Sequence, residues 1–264
     1  MDLELKEKTV FITGSTAGIG FATAKALLSE GAIVIINGRT SVSVETAIKR
    51  LKKVFPNEKI TGISADFSKQ NEVNGLLENL PKIDILINNV GVYSSSSFFK
   101  TEDAEWYRLF EVNVMSGVRL SKIILPSMLA NNWGRILFIS SECASLTPPD
   151  LIAYSMTKAA ILAVSRGLAQ LTKGTNVTIN SVIPGSTLSE GAEQFLEDAA
   201  QKKQKTKDEI ENIFFTEVRT TSLLQRFAKV EEVANTIVYI TSPRSSATNG
   251  AAIKVDGGSS GGLF

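Results

Sequence analysis

The sequence predicts an α/β protein with one doubly wound parallel sheet that is covered by helices on both faces. Its 264 residues, 43% of them hydrophobic and 21% charged, suit one domain of this size. Short apolar runs alternate with longer segments of helical period, and continuous apolar strands are typical of a sheet buried on both faces. No linker or repeat divides the chain, so we predict a single domain over residues 1–264.

The elements follow one another regularly along the chain. Strands are predicted over residues 8–13, 32–37, 60–65 and 83–88, with helices over 18–30, 45–54 and 71–79 between them. The second half adds a long helix over 104–131, a strand over 135–140, a helix that carries Tyr154 and ends near Gly174, strands over 177–183 and 252–255, and a helix over 230–240.

The segment 186–222 breaks this alternation. It contains a charged run over 201–207, which we interpret as a solvated helix face, and an apolar cluster over 213–215. The segment follows the carboxyl end of a strand, where open sheets bind ligands and where mobile loops are common. We therefore predict that it is a substrate lid.

A glycine-rich turn joins the first strand to the first helix. Gly14, Gly18 and Gly20 fall within the sequence Thr-Gly-Ser-Thr-Ala-Gly-Ile-Gly, which is not the common G-x-G-x-x-G spacing. Glycines let the backbone approach a pyrophosphate closely, and a helix N-terminus offers unpaired N–H groups to it. The position after the first strand indicates a nucleotide site.

Tyr154 and Lys158 are four residues apart on a predicted helix and so share one face. A neighbouring ammonium favours the phenolate and lowers the pKa of a phenol. The pair therefore predicts a tuned acid/base, whereas the alternative is a solvated tyrosine beside a surface lysine. The glycine-rich turn in the same chain favours the first interpretation.

The composition excludes several kinds of chemistry. The chain has no histidine, which removes serine-histidine hydrolysis and imidazole metal sites, and we predict no metal. The net charge of +1 gives no reason to expect nucleic acid or an anionic membrane as a partner. One cysteine, Cys143, excludes an internal disulfide, and the charged N-terminus resembles no signal peptide. With no apolar run long enough to span a membrane, we expect a cytoplasmic protein.

Several motifs occur in one order and register. They are the glycine-rich turn over 13–20, Asn88-Asn89-Val90-Gly91, Asn113, Ser140-Ser141, Tyr154-x-x-x-Lys158 and Pro184-Gly185, with matching tail segments over 224–234 and 249–258. Together they resemble the short-chain dehydrogenase/reductase family, whose members have a Rossmann-type fold. The tail is similar to that of 3-oxoacyl carrier-protein reductases, but members of the family that act on many different substrates have similar tails.

The resemblance implies four catalytic residues. Ser141, thirteen residues before Tyr154, would donate a hydrogen bond to the substrate oxygen. Tyr154 would exchange a proton with that oxygen, and Lys158 would bind the nicotinamide ribose and lower the pKa of the phenol. Asn113 would hold a water molecule in a proton relay; the alternative is a structural kink in its helix.

The same resemblance implies the cofactor contacts. The pyrophosphate and ribose would be faced by Gly14, Ser15, Gly18, Ile19 and Gly20. The adenine would be contacted by Asp66 and Phe67, and the adenine ribose by Asn88 and Gly91. The nicotinamide carboxamide and the diphosphate would be contacted by Pro184, Gly185, Thr187 and Ser189.

The end of the second predicted strand bears on the choice of cofactor. NAD-specific relatives place an acid there, and this chain has Gly38 followed by Arg39. A guanidinium pairs well with a 2′-phosphate, so NADP is favoured. Arg39 could instead stack on adenine in an NAD enzyme, and NAD stays open.

Three functions are consistent with the sequence. The first is an NADP-dependent oxidoreductase that acts on a carbonyl or secondary alcohol, the second is another cofactor-using reaction on the same fold, and the third is a nucleotide sensor or scaffold without turnover. The retained Ser141, Tyr154 and Lys158 favour the first. The residues expected to shape a pocket for an extended or partly apolar carbonyl compound are Tyr93, Phe98, Phe99, Glu142, Leu146, Thr147, Phe214 and Phe215.

Small residues on the helix after Tyr154 predict self-association. Ala159, Ala160, Ala163 and Gly167 would allow a second helix to approach closely, unless they face the parent sheet. We expect a homotetramer or a homodimer, with the C-terminal residues 261–264 adding contacts.

Overall fold

Seven strands form one parallel sheet in this computed structural model, which describes residues 1–262. They are β1 (Thr9–Ile12), β2 (Ile33–Gly38), β3 (Ile60–Ser64), β4 (Ile85–Asn88), β5 (Gly134–Ile139), β6 (Val177–Pro184) and β9 (Ala252–Val255). Two short strands, β7 (Thr187–Leu188) and β8 (Ala228–Lys229), pair with each other outside this sheet. The order β3-β2-β1-β4-β5-β6-β9 confirms the predicted doubly wound sheet of Rossmann type. The direction of winding reverses between β1 and β4, where open sheets bind ligands.

Helices cover both faces of the sheet, and others lie outside it. In chain order the helices are α1 (Gly18–Ser29), α2 (Ser41–Val54), α3 (Gln70–Glu78), α4 (Asp103–Phe110), α5 (Ser116–Ala130), α6 (Cys143–Leu146), α7 (Ile152–Gln170), α8 (Glu190–Lys203), α9 (Lys207–Ile213) and α10 (Val230–Thr241). Apolar side chains of α1, α2 and α10 pack on one face and those of α3, α5 and α7 on the other. Because successive strand residues point to opposite faces, Val10 and Ile12 join the first cluster and Phe11 the second.

The helices depart from the sequence-based prediction most clearly at three places. Helix α2 begins earlier, at Ser41, because the Thr40 side chain caps its N-terminus in a reciprocal pair with Ser43. Helix α7 ends at Gln170, and Gly174 lies in the following turn with φ of +78°. The predicted long helix is interrupted by one π-helical turn, Glu111–Met115, between α4 and α5.

The segment 186–222 has a small apolar core of its own. It forms α8, α9 and a second π-helical turn, Phe214–Val218. Leu196, Ile210 and Phe215 pack there with Phe227, and this cluster is separate from the two clusters on the sheet. We call residues 186–222 the lid segment below.

Residues 1–262 contain no helix long and apolar enough to cross a membrane. Over the same residues, no group of three or more His, Cys, Asp or Glu side chains is arranged to hold a metal ion.

Candidate active site

A cavity of about 760 Å³ opens where the sheet reverses its winding. The carboxyl ends of β5 and β6 form its floor, the start of α1 and the segment after β4 form one side, and the lid segment forms the other. Its volume is in the range of small-molecule and cofactor sites.

The glycine-rich turn has a backbone path that requires glycine at several positions. Gly14 and Gly18 have φ of +58° and +56°. A side chain at Gly20 would place its Cβ 2.6 Å from both the Gly14 carbonyl oxygen and Asn89 Nδ2. The turn is held from behind, because the Gly14 N–H donates to Asn37 Oδ1 at 3.0 Å and Asn89 Nδ2 donates to the Gly14 oxygen at 2.8 Å.

The first N–H of helix α1 binds a carboxylate from the lid segment. Gly18 N donates to Glu190 Oε2 at 2.7 Å, and the Arg50 guanidinium lies 3.9 Å from the other oxygen of the same carboxylate. An N-terminal helix turn attracts anions through its unpaired N–H groups and its partial positive charge. The contact demonstrates this affinity with an acid of the chain itself.

Asn113 lies buried in the π-helical turn, and its amide joins three elements. Its Oδ1 accepts from Val92 N–H at 2.8 Å, while Nδ2 donates to the Val92 carbonyl at 2.9 Å and to Thr157 Oγ1 at 3.0 Å. Such turns recur at functional sites because they redirect one residue within a helix. The side chain fixes the segment after β4 against α7.

Tyr154 stands on the cavity wall with Ser141 beside it. Burial raises the pKa of the phenol, and a hydrogen bond with Ser141 opposes that rise. The pKa of Tyr154 is thus raised rather than lowered in this structure, and the predicted lowering of that pKa by Lys158 stays a prediction. The physical reason is that removal from water disfavours the phenolate more than the neighbours stabilise it. The phenol keeps its proton at neutral pH.

Lys158 is 4% exposed, and its Nζ donates to the Ile139 carbonyl at 2.9 Å. Burial lowers the pKa of its amine to about 8. The ammonium lies 5.6 Å from the centre of the Tyr154 ring, so the two side chains share a face as predicted. A Cβ at Gly91 would lie only 3.1 Å from Nζ, which explains the small residue there.

A buried ion pair joins the segment after β5 to the lid segment. Glu142 Oε1 accepts from Arg219 Nε at 2.9 Å and from Ser186 Oγ at 2.9 Å. The side chains of Glu142 and Arg219 are 3% and 12% exposed. Glu142 follows Ser141 directly, so the pair ties the lid segment to that residue's backbone.

Some of the predicted site residues line the cavity, and the others lie outside its lining. Those on the wall are Gly18, Ile19, Gly91, Ser141, Tyr154, Lys158, Pro184, Gly185, Thr187 and Ser189. Those outside the lining are Gly14, Ser15, Gly20, Arg39, Asp66, Phe67, Asn88 and Asn113.

Several of these outlying residues have defined partners or surroundings. Ser15 is fully buried and its hydroxyl donates to Ile12 O at 2.7 Å, so it shapes the turn. Phe67 packs in the core on one face of the sheet. Asn88 is 6% exposed, and neither polar atom of its side chain has a partner within residues 1–262. Asp66 accepts hydrogen bonds from the amide and hydroxyl of Ser68.

The predicted substrate pocket is only partly correct. Tyr93, Glu142 and Phe214 lie on the wall, but Phe98, Phe99, Leu146 and Thr147 do not, and Phe215 is buried in the lid segment's own core. Phe98 begins a short 3-10 turn and packs edge-on against Trp106. The wall residues that the sequence reasoning missed include Ser95, Asp150, Leu151, Glu190, Phe195, Val218, Arg219 and Phe227. Phe195 could have been found, because Ala192, Phe195, Leu196 and Ala199 follow helical spacing.

The fold and this site define a class of protein. An anion-binding glycine turn at the reversal point of a doubly wound sheet, with a phenol, a hydroxyl and a buried amine facing one cavity, is typical of a nicotinamide-dependent oxidoreductase. The family model described as short chain dehydrogenase matches residues 8–200. The chain belongs to this family and is an NAD(P)-dependent short-chain dehydrogenase/reductase.

Relatives and solved structures agree with this assignment over the whole chain. The chain is 49% identical over 261 residues to the uncharacterized oxidoreductase YvrD of Bacillus subtilis (strain 168), covering 98% of each. It is 29% identical to the 3-oxoacyl-[acyl-carrier-protein] reductase FabG of Aquifex aeolicus (strain VF5), covering 98% of this chain and 99% of the other. The structure of L-sorbose reductase from Gluconobacter frateurii, complexed with NADPH and L-sorbose, matches with a TM-score of 0.93 at 28% identity, covering 100% of each chain.

Proposed function

We propose that this protein is an NADP(H)-dependent reductase of small carbonyl compounds in which Tyr154 is the acid/base. The observation that carries the proposal is the position of Tyr154 on the cavity wall beside Ser141, with a pKa that burial raises. A phenol that keeps its proton at neutral pH can donate it to a carbonyl oxygen. The reverse oxidation would use the same group as a base.

The residues present fit a dinucleotide. Gly18 N–H already holds a carboxylate, which indicates the charge preference of the turn. A Cβ at Gly14 would lie 3.0 Å from Val90 Cα, and one at Gly20 would lie 2.6 Å from the Gly14 carbonyl oxygen, so the turn can follow this path only with glycine at these positions. Asn88 offers two buried polar atoms that lack a partner within the described chain, near the end of β4. When bound, the nicotinamide supplies a hydride to the carbonyl carbon or takes it back.

The chain's own residues orient the substrate and move one proton. The Ser141 hydroxyl donates a hydrogen bond to the carbonyl oxygen, and Tyr154 transfers its phenolic proton to that oxygen as the alcohol forms. Lys158 stands beside the phenol with its Nζ anchored on Ile139 O, where it can bind a ribose hydroxyl. The water relay through Asn113 stays a prediction. The side-chain amide of Asn113 accepts a hydrogen bond from Val92 N–H and donates one to Thr157 Oγ1.

The end of β2 supports NADP rather than NAD. A Cβ at Gly38 would lie 2.5 Å from Thr16 Cγ2 and 2.9 Å from Ser43 Oγ, so the ribose-binding acid of NAD enzymes has no room there. Arg39 is exposed. Burial opposes the lowered pKa of Asp66, hydrogen bonds from Ser68 produce most of the lowering, and the charges of Lys69 and Arg39 add to it, so the guanidinium acts on the predicted adenine contact. This arrangement suits a 2′-phosphate.

The setting of the enzyme in the cell and its assembly also remain predictions. Ala159, Ala163 and Gly167 form an exposed stripe on α7, whereas Ala160 packs against the core of the sheet. The stripe supports a homodimer or homotetramer, and Leu263 and Phe264 of the predicted C-terminal contact lie outside the described residues. The single cysteine is consistent with a reducing cytoplasm.

Replacing Tyr154 by phenylalanine tests the proposal. Reduction of a competent ketone, followed by loss of NADPH absorbance, should slow by about 100-fold to 10,000-fold in Tyr154→Phe because the transferable proton is gone. NADPH binding, titrated by fluorescence, should be retained. The control is Tyr107→Phe, at a tyrosine that is 74% exposed. Unchanged turnover in Tyr154→Phe would remove Tyr154 from the mechanism.

A further inference from the structure

Arg219 is held rigidly at the edge of the substrate cavity. It caps the π-helical turn Phe214–Val218, and its N–H donates to the Phe214 carbonyl at 2.8 Å. The guanidinium carbon lies 5.6 Å from the centre of the Phe214 ring, within the range of a cation–π contact. The side chain is 12% exposed and lines the cavity. An arginine fixed in this way loses little further entropy when it binds a ligand.

The guanidinium has more donors than the protein satisfies. Its five N–H groups include Nε–H, which donates to Glu142 Oε1 at 2.9 Å. Nη1 is 3.4 Å from the Val218 carbonyl, and the partner that residues 1–262 supply to Nη2 is the Cys143 sulfur at 4.0 Å, a weak acceptor. The terminal nitrogens therefore present unused N–H groups at a cavity wall, where an oxygen acceptor of a ligand can bind.

These nitrogens lie close to the reacting groups. The Cys143 amide N–H donates to Ser141 Oγ at 3.2 Å, and the Cys143 sulfur is the atom that Nη2 approaches. Ser141 is the residue proposed to bind the reacting carbonyl oxygen. Arg219 and Ser141 both contact Cys143, so an acceptor bound by Arg219 would be carried on the arm of the substrate that lies on this side of the carbonyl.

The charges on this wall favour a neutral acceptor. Glu142 is 3% exposed and offsets the positive charge of Arg219 directly. Asp150 and Glu190 also line the cavity and add two negative charges, against which Lys158 adds one positive charge. A carboxylate on the substrate would therefore gain little net attraction and would face these acids. A hydroxyl can accept from Arg219 without that penalty.

Part of the cavity wall at the lid segment is apolar. Phe195, Phe214 and Val218 line it together with Phe227. Such a surface suits a hydrocarbon substituent on the other side of the carbonyl. The two parts of the wall thus describe a substrate with one polar and one apolar arm.

We propose that Arg219, held in place by Glu142, is a specificity residue that selects α-hydroxyketones over plain ketones and over 2-oxo acids. This inference rests on the proposed carbonyl reductase function and adds the substrate class. No covalent step is added, because the hydride and proton go to the carbonyl carbon and oxygen as described above.

Three compounds of matched size test the proposal. In 1-hydroxy-2-butanone, 3-pentanone and 2-oxobutanoate, the same propanoyl part carries a hydroxymethyl, an ethyl or a carboxylate group. With NADPH and the wild-type protein, kcat/KM for the hydroxyketone should exceed that for 3-pentanone by at least about tenfold, as expected for one hydrogen bond to a charged group. It should also exceed that for 2-oxobutanoate.

Arg219→Met should remove this preference. The ratio of kcat/KM for hydroxyketone to 3-pentanone should fall to about one, mainly because KM for the hydroxyketone rises. The readout is this ratio and not the rate with either compound alone, since the variant also leaves Glu142 without its ion-pair partner. Arg219→Lys should retain part of the ratio, because an ammonium still donates. The control is Arg226→Met, at a neighbouring arginine whose ion pair with Glu232 is exposed. Thermal unfolding and NADPH titration report whether each variant is folded.

The outcomes distinguish failure of this inference from failure of the proposed function. Turnover by the wild-type protein with equal kcat/KM for the hydroxyketone and 3-pentanone would overturn the inference alone, whatever the fate of the variants. The inference is also overturned if Arg219→Met is folded and keeps the wild-type ratio, or if the wild type prefers 2-oxobutanoate. Failure to turn over any of the three compounds while NADPH binds would overturn the proposed function as well.

Discussion

The two walls of the cavity are built in different ways. On the sheet side, polar groups are bonded to their own wall: Asn37 and Asn89 hold the glycine turn, and Lys158 Nζ bonds to Ile139 O. On the lid side, Glu190 and Arg219 take their partners from the opposite wall, at Gly18 N–H and Glu142.

This difference assigns different tasks to the two walls. The glycine turn and the Lys158 amine of the sheet wall have hydrogen-bond partners within that wall, so the lid segment is not needed to hold them. Of the lid contacts, Glu190 occupies a group that a ligand could use, the Gly18 N–H, whereas Arg219 keeps its bond to Glu142 and presents its terminal nitrogens to a ligand. We therefore expect chemistry and cofactor choice to depend on the sheet wall, and the access and choice of substrate to depend on the lid wall.

Cofactor choice offers the first test, because Arg39 follows β2 on the sheet side and lies outside the cavity lining that the lid segment shares. Arg39→Ala should weaken NADPH binding by about tenfold to 100-fold, in line with the roughly 1.5–3 kcal/mol of a hydrogen bond to a charged group. NADH affinity is the internal control and should stay unchanged. Fluorescence titration measures both. Equal affinities of the wild-type protein for NADPH and NADH would refute the NADP preference.

The burial of Lys158 in the sheet wall should make the stability of the protein depend on pH. Burial lowers the pKa of Lys158 from 10.5 to about 8, so between these values the unfolded chain binds more protons than the folded one. The contribution of Lys158 to the free energy of unfolding is therefore lowest below pH 8 and rises as the pH approaches 10.5. Relative to Lys158→Met, the wild-type free energy of unfolding should grow by about 2 kcal/mol between pH 7 and 9.5.

Urea denaturation of both proteins at the two pH values measures this difference. The exposed Lys25→Met provides the matched control for loss of a lysine. A wild-type curve that runs parallel to the Lys158→Met curve would show that the amine is not destabilised by burial.

The smallest expected effect concerns an exchangeable lid contact. If the Glu190 carboxylate competes with a diphosphate for Gly18 N–H, Glu190→Gln should tighten NADPH binding by about twofold to fivefold, the usual size of a helix-terminus charge effect. The gain should shrink at high salt. Glu193→Gln, in the same first turn of α8 and also exposed, is the control. Weaker NADPH binding in Glu190→Gln would mean that the carboxylate instead holds the lid segment in its binding position.

The fold was predictable because its signals are local. Apolar runs such as Ile33–Gly38 in β2 are long enough to mark buried strands, and helical spacing marks the segments between them. Tyr154, Lys158 and the glycine turn were likewise readable, since their spacing along one helix or one turn fixes their relation. Helix ends were less predictable, as at Gln170, because capping and turn geometry decide them.

The sequence by itself indicated the doubly wound sheet, the family and the candidate residues Ser141, Tyr154 and Lys158 of the sheet wall. Only the tertiary structure decided the direction of the Tyr154 pKa, because burial depends on every element around the phenol. It also decided that Arg219 meets Glu142 across 77 residues of chain and that Phe98 lies away from the cavity. Local patterns carry no information about such contacts, since they arise only when the lid segment packs against the end of the sheet.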